Sequence, residues 1–136
     1  MYPSDVVRLK FGREVWMAVV EVDNDAYVAK TVWFDPRGRL QRSPDWIPQE
    51  ALQTASKADT PEDWISLADQ QSPLRLIRIG RQARLLTEAM ASEKDPVDMT
   101  VLGKKENFVR LAWFDQKGEF HDDVLPFEVL MLKKGT

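Results

Sequence analysis

Trp33-Phe34-Asp35-Pro36-Arg37-Gly38-Arg39-Leu40 is answered later in the chain by Trp113-Phe114-Asp115-Gln116-Lys117-Gly118-Glu119-Phe120. Two flanking blocks repeat with it. Met17-Ala18-Val19-Val20 precedes the first string, as Met99-Thr100-Val101-Leu102 precedes the second. Ile47-Pro48-Gln49-Glu50-Ala51-Leu52 follows the first, as Leu125-Pro126-Phe127-Glu128-Val129-Leu130 follows the second. Met17 and Met99, Trp33 and Trp113, and Ile47 and Leu125 stand 82, 80 and 78 residues apart. Three blocks in one order at nearly one spacing indicate an internal duplication. The shared string is also a local structural signal. Trp-Phe closes an apolar run, Asp accepts hydrogen bonds from the backbone two residues on, and Gly supplies a positive φ. The chain then returns at residues 39–42 or 119–121, so each copy predicts a β-hairpin.

Residues 5–11 alternate, with Val7, Leu9 and Phe11 on one face and Val6, Arg8 and Lys10 on the other. Gly12-Arg13 is a turn signal, and residues 14–22 are rich in valine and aromatics, which suit a pleated surface. Asp23-Asn24-Asp25 turns the chain into residues 26–35, and residues 38–42 return. Five short strands in this length are the plan of a small SH3-like barrel. One barrel of about 50 residues is marginal alone. The expected fold is mostly β (α+β): two SH3-like small β-barrel repeats, at 1–53 and 74–136, with a helical connector at 54–73 and a helical insertion at about 82–95.

The middle is less decisive. Thr60-Pro61-Glu62-Asp63 has a capping hydroxyl, a proline at the first helical position and acids in the first turn, which predict a short helix carrying Trp64, Ile65, Leu67 and Ala68. Residues 74–92 admit two readings. Residues 74–79 can open the second repeat as a strand, with Ile77-Arg78-Ile79-Gly80-Arg81 matching Leu9-Lys10-Phe11-Gly12-Arg13. Alternatively, Ser72-Pro73 caps one long helix whose seam is Leu76, Ile79, Ala83, Leu86 and Met90. Both readings make residues 82–93 helical.

The run Asp5-Val6-Val7-Arg8-Leu9-Lys10-Phe11-Gly12, then Met17, then Trp33-Phe34, resembles the YodC-like family of small uncharacterised bacterial proteins; Met99-Thr100-Val101 and the second Trp-Phe pair fit the same pattern. The resemblance covers residues 4–53 and, more weakly, 74–132. Phe11-Gly12-Arg13 departs from the family's Ser-Gly-Gly, and no cysteine precedes either Trp-Phe pair. The resemblance implies a small β-barrel and brings no activity with it.

Composition removes several functions. Among 136 residues there is no cysteine and one histidine, His121, so disulfides, thiolate metal sites and cysteine nucleophiles are absent. No stretch approaches the roughly 18 apolar residues of a membrane span, and the N-terminus has no secretory pattern. A cytoplasmic protein fits these features. The net charge is −3 and is spread evenly, which is unlike a dedicated nucleic-acid binder. Asp35 and Asp115 read as turn residues, and His121 with Glu119, Asp122 and Asp123 is a candidate divalent-metal cluster outweighed by an ordinary surface histidine. Of the five tryptophans, Trp33 and Trp113 read as core, and Trp46, in a Ser-Pro-Asp-Trp loop, as the surface candidate. Arg75, Arg78, Arg81 and Arg84 lie in a segment free of acids, suited to phosphates or to an acidic protein face.

These signals point to a non-enzymatic adaptor or inhibitor, without cofactor or metal. Its expected binding residues are Arg75, Arg78, Arg81, Arg84 and Trp46, and its expected partner is a protein. By analogy of fold, small duplicated barrels occur among phage-borne blockers of host defence. The alternative is a nucleic-acid-binding accessory protein that grips phosphates through residues 75–84.

Overall fold

The computed structural model describes residues 1–55, 60–90 and 95–135. The first half forms β1 (Val6–Leu9), β2 (Met17–Asp23), β3 (Val28–Phe34), β4 (Leu40–Arg42), β5 (Ile47–Pro48) and β6 (Leu52–Thr54), with a 3₁₀ turn at Gln49–Ala51. The second half forms β7 (Trp64–Ser66), β8 (Gln82–Leu85), β9 (Met99–Lys105), β10 (Phe108–Phe114), β11 (Phe120–Pro126) and β12 (Leu130–Lys133), with 3₁₀ turns at Leu67–Asp69, Leu86–Ala89 and Phe127–Val129. The first sheet runs β4-β3-β2-β1-β6, with β5 also on β3, and the second runs β11-β10-β9-β8-β12-β7. All pairings are antiparallel.

The duplicated blocks occupy the same positions in both sheets. Met17 and Met99 open β2 and β9, Trp33 and Trp113 are the penultimate residues of β3 and β10, and Leu52 and Leu130 open β6 and β12. The registers agree residue for residue: Val19 faces Thr31 as Val101 faces Leu111, and Glu21 faces Lys30 as Gly103 faces Arg110. Each hairpin therefore skips one residue, Val20 or Leu102, in a bulge that sharpens the local twist. The drift in spacing has a simple origin. The β2–β3 loop has four residues, 24–27, where the β9–β10 loop has two, 106–107. Between β4 and β5 the first sheet has four residues, 43–46, where the unbroken β11 has two, 123–124. Each difference shifts the alignment by two.

The hairpin turn forms twice with the same bonds. Asp35 N–H donates to the Arg39 carbonyl at 3.0 Å and Gly38 N–H to the Asp35 carbonyl at 3.0 Å; Asp115, Glu119 and Gly118 repeat this at 3.0 Å each. Gly38 and Gly118 have φ of +79° and +80°, which a side chain rarely adopts.

Four expectations are corrected. The SH3-like barrels are not there: neither sheet pairs its last strand with its first, so both stay open. Alternation specifies strands but not closure, and the apolar faces are covered by packing sheet on sheet instead. The helical insertion at 82–95 is also wrong, because β8 pairs with β9 and β12 as the opening strand of the second sheet, followed by a 3₁₀ turn; residues 91–94 lie outside the described residues. Ala83 and Leu85 are fully buried while Gln82 and Arg84 are only partly so, a period of two that the longer apolar run concealed. Ile79, a member of the supposed helical seam, is 79% exposed. Ser72-Pro73 does start a helix, but it lasts one turn, Pro73–Leu76, and Gly80 at φ +90° redirects the chain. The opening strand is therefore neither residues 74–79 nor part of a long helix. In the connector, Trp64-Ile65-Ser66 is a strand on β12, with Trp64 and Ser66 buried; residues 56–59 lie outside the described residues. Burial against β12 outweighs the local capping signal.

The main core lies between the sheets. Ala18, Val32 and Phe34 of the first sheet join Met99, Val101, Val109, Leu111, Trp113, Leu125, Leu130 and Leu132 of the second, with Leu40 packed alongside. On its opposite face the first sheet keeps a smaller cluster of Val7, Met17, Val19, Ala29 and Leu52, flanked by Trp33 and Ile47. By strand register these residues correspond to Ala83, Met99, Val101, Val109 and Leu130, with Trp113 and Leu125. We call this the inner face and the other the outer. The outer face of the first sheet is thus seated on the inner face of the second.

Candidate functional site

The duplicated turns meet at this junction. The Asp115 side chain is 1% exposed. Its Oδ1 accepts from Lys117 N–H at 2.9 Å and Glu119 N–H at 3.0 Å, and its Oδ2 lies 2.8 Å from His121 Nε2. The His121 hydrogen bond, helped by the two backbone donors and opposed by burial, holds the Asp115 carboxyl down to about 2. Asp35 is built alike: Oδ1 takes Arg37 and Arg39 N–H, and Oδ2 takes the Gln41 amide at 2.9 Å. Burial pushes Asp35 up, but those bonds outweigh it and leave the carboxyl below its ordinary value. Gln41 and His121 face Trp33 and Trp113 at the same register position, so one role is filled by two residue types.

The second turn is covered by the first. Trp113 Nε1 donates to the Gly38 carbonyl at 2.8 Å, and Gln116 N–H donates to the Arg37 carbonyl at 3.0 Å. Phe34 meets Trp113 edge to face at 5.3 Å, and His121 stacks on the indole at 5.6 Å. Arg42 grips Asp123 through both carboxylate oxygens, at 2.9 and 3.0 Å. A Cβ on Gly38 would lie 3.3 Å from the Asp115 Cα, so a side chain there would require the Asp115 backbone to give by a few tenths of an ångström.

Asp115, Glu119 and His121 lie close enough together to share a cation. The residues fit such an ion poorly. Both Asp115 oxygens already hold short hydrogen bonds and the imidazole is one of the donors, so binding would break the bonds that shape the turn. The acids next to His121 are likewise structural: Asp122 pairs with Arg110 at 2.7 Å and Asp123 with Arg42, so neither joins His121.

The four arginines do not form one surface. Arg81 is anchored by bonds to the Leu76 carbonyl at 3.0 Å and the Lys133 carbonyl at 2.6 Å. Arg84 pairs with Asp98 at 2.6 Å and lies 4.5 Å from the centre of the Trp64 ring. Arg75 and Arg78 are exposed. Trp46 sits in the longer 43–46 segment of the first half, is half-buried, and carries Lys30 Nζ 4.7 Å above its ring. Arg75, Arg78 and, in part, Trp46 therefore remain accessible, apart from the two anchored arginines.

Sequence reasoning missed the outer face of β10 and β11. Phe114 and Phe120 are 67% and 60% exposed and touch edge to face at 5.7 Å, with Phe108 and Val124 exposed on the same pair of strands. Phe114 faces Phe120, and Val124 faces Arg110. The strand period puts Phe114 and Phe120 on the face opposite Trp113, but the repeat gives no sign that this face is bare, because Phe34 at the equivalent position is buried. A groove of about 380 Å³ is bordered by Asp5, Val6, Thr54, Ala68, Leu86 and Met90, with no basic side chain in its lining among the described residues.

No family model, curated protein or solved structure matches this chain. Among the described residues, no helix is long and apolar enough to cross a membrane.

Proposed function

We propose that the chain is a non-enzymatic protein-binding module, working in the cytoplasm, whose binding surface is the outer face of β10 and β11. The observation that carries this reading is the solvent-facing Phe114–Phe120 pair, with Phe108 and Val124 exposed farther along the same face. Single exposed apolar residues are ordinary, but two exposed aromatics in contact on a sheet face that bears further exposed apolar residues are the kind of surface that protein partners cover. The Arg110–Asp122 pair lies between the two ends of this face and adds polar groups to it. This supports a protein partner over phosphate recognition, because two arginines of the acid-free segment are committed to internal bonds.

The nucleic-acid reading retains Arg75 and Arg78 as exposed cations. The two readings separate by affinity capture from lysate with nuclease present. A Phe114→Ser, Phe120→Ser double variant is expected to lose the discrete protein captured by the wild type, and Arg75→Ser, Arg78→Ser is expected to keep it. Recovery that vanishes with nuclease or with the arginine variant overturns the assignment.

A further inference from the structure

We propose that the chain associates with itself head to tail, the exposed outer face of β10 and β11 in one copy seating on the Trp33 face of the first sheet in a second copy. This rests on the reading of that outer face as a binding surface and names its occupant. The chain already contains one instance of the contact. Inside it, the outer face of the first sheet lies on the inner face of the second: Phe34 against Trp113, the Gly38 carbonyl against the Trp113 indole N–H, and Leu40 beside them.

Each half carries both surfaces; the outer face of the second sheet is left exposed, while on the inner face of the first sheet Val7, Met17, Val19, Ala29 and Leu52 are already buried and the partly exposed Trp33 rim is what is left over. The counterpart of Phe34 is Phe114, 67% exposed, and the counterpart of Leu40 is Phe120, 60% exposed. The counterpart of Trp113 is Trp33, half-buried at the rim of the smaller cluster. The polar groups left over also match. Trp33 Nε1–H and the Gly118 carbonyl have no hydrogen-bond partner among the described residues, whereas their counterparts, Trp113 Nε1–H and the Gly38 carbonyl, bond each other. The indole donor at the Trp33 rim, the carbonyl acceptor and the exposed outer aromatics, whose counterparts fit together once within the chain, are thus available again.

Two polar links of the internal contact have no counterpart. Pro36 stands where Gln116 donates its N–H to the Arg37 carbonyl, and Ser43 and Asp122 stand where Asp123 and Arg42 form their pair. The contact between copies is therefore weaker than the one within a copy and depends on concentration. It is heterologous, because different patches meet, so it extends into open chains unless the rotation between copies closes a ring.

Sedimentation velocity on the full chain tests this across about 1 to 300 µM. The wild type is expected to rise about twofold or more in average mass. Phe114→Lys with Phe120→Lys removes the outer surface, and Pro36→Arg blocks the approach to Trp33; each is expected to remain monomeric. Mixed together they are expected to form a one-to-one dimer, because each retains the surface the other lacks. If circular dichroism shows Pro36→Arg unfolded, Trp33→Phe replaces it and is expected to weaken association by removing the indole donor. A wild type that stays monomeric throughout, or variants that fail to complement, overturns the proposal. If the wild type is monomeric yet captures another protein through Phe114 and Phe120, the self-association falls and the binding-surface reading stands. If it is monomeric and captures nothing, both fall.

Discussion

The two Trp-Phe pairs share a sequence, a strand position and a register, yet they bury opposite members. In the first half Phe34 is 4% exposed and Trp33 half-buried; in the second Trp113 is 4% exposed and Phe114 is 67% exposed. Neighbouring strand residues point to opposite faces, so the choice belongs to whatever covers each face. Phe34 is buried because the second sheet lies on the outer side of the first. Trp113 is buried because the first sheet lies on the inner side of the second. A duplicated unit that docks face to back makes its two copies unequal without changing their backbone.

The largest test of that inequality removes the tryptophans one at a time. Trp113→Ala is expected to cost about 3 to 5 kcal/mol, and Trp33→Ala clearly less, in denaturant unfolding, because only the former loses a full cavity's worth of contacts and a buried hydrogen bond. Equal losses would break the comparison. The phenylalanines should reverse the order: Phe34→Ser is strongly destabilising, while Phe114→Ser stays within about 0.5 kcal/mol.

The glycines sharpen the point. Gly38→Ala and Gly118→Ala share the penalty of a left-handed backbone, roughly 1 to 2 kcal/mol. Only the former also drives a methyl group toward the Asp115 backbone at 3.3 Å, so its Tm should fall further.

Acid exposes the second turn. Asp115 has its carboxyl lowered from 3.8 to about 2 in the fold, with His121 as the chief cause. Its ionised form is favoured by folding, so the contribution is whole above the unfolded value and is lost as pH falls through about 4 toward about 2. Asp115→Asn should flatten that part of the stability profile. A small effect is expected for His121→Gln. Gln41 already performs the same task in the first half, so the turn should survive, with a loss of about 1 kcal/mol or less in thermal unfolding from the forfeited stacking on Trp113.

Much of this was legible in the chain. The Asp-x-x-Gly turns announced both hairpins because their chemistry is local: one carboxylate, two N–H groups and a residue free to take positive φ. The order of blocks announced the repeat. Closure of the sheets was not legible, because alternation fixes which side a residue points to and not which strand ends meet. Nor was β8, whose Gln82-Ala83-Arg84-Leu85 runs into Leu86 and resembles a helical seam until β9 and β12 flank it. The arginine segment reads as one charged surface in sequence. In three dimensions Arg81 and Arg84 turn toward Lys133 and Asp98, partners that sequence distance concealed. The exposed aromatics beside the second turn were visible as residues, but only the direction of docking reveals which of two equivalent faces is left bare.

The face-to-back arrangement is tested most directly by hydrogen exchange at the indole N–H groups, read by nitrogen-15 NMR. The Phe114→Lys, Phe120→Lys variant serves best, since contact between copies would otherwise protect Trp33. The Trp113 indole N–H, bonded to the Gly38 carbonyl in the junction, should exchange slowly, and that of Trp33 quickly. Similar rates for the two, or slower exchange at Trp33, would contradict the arrangement.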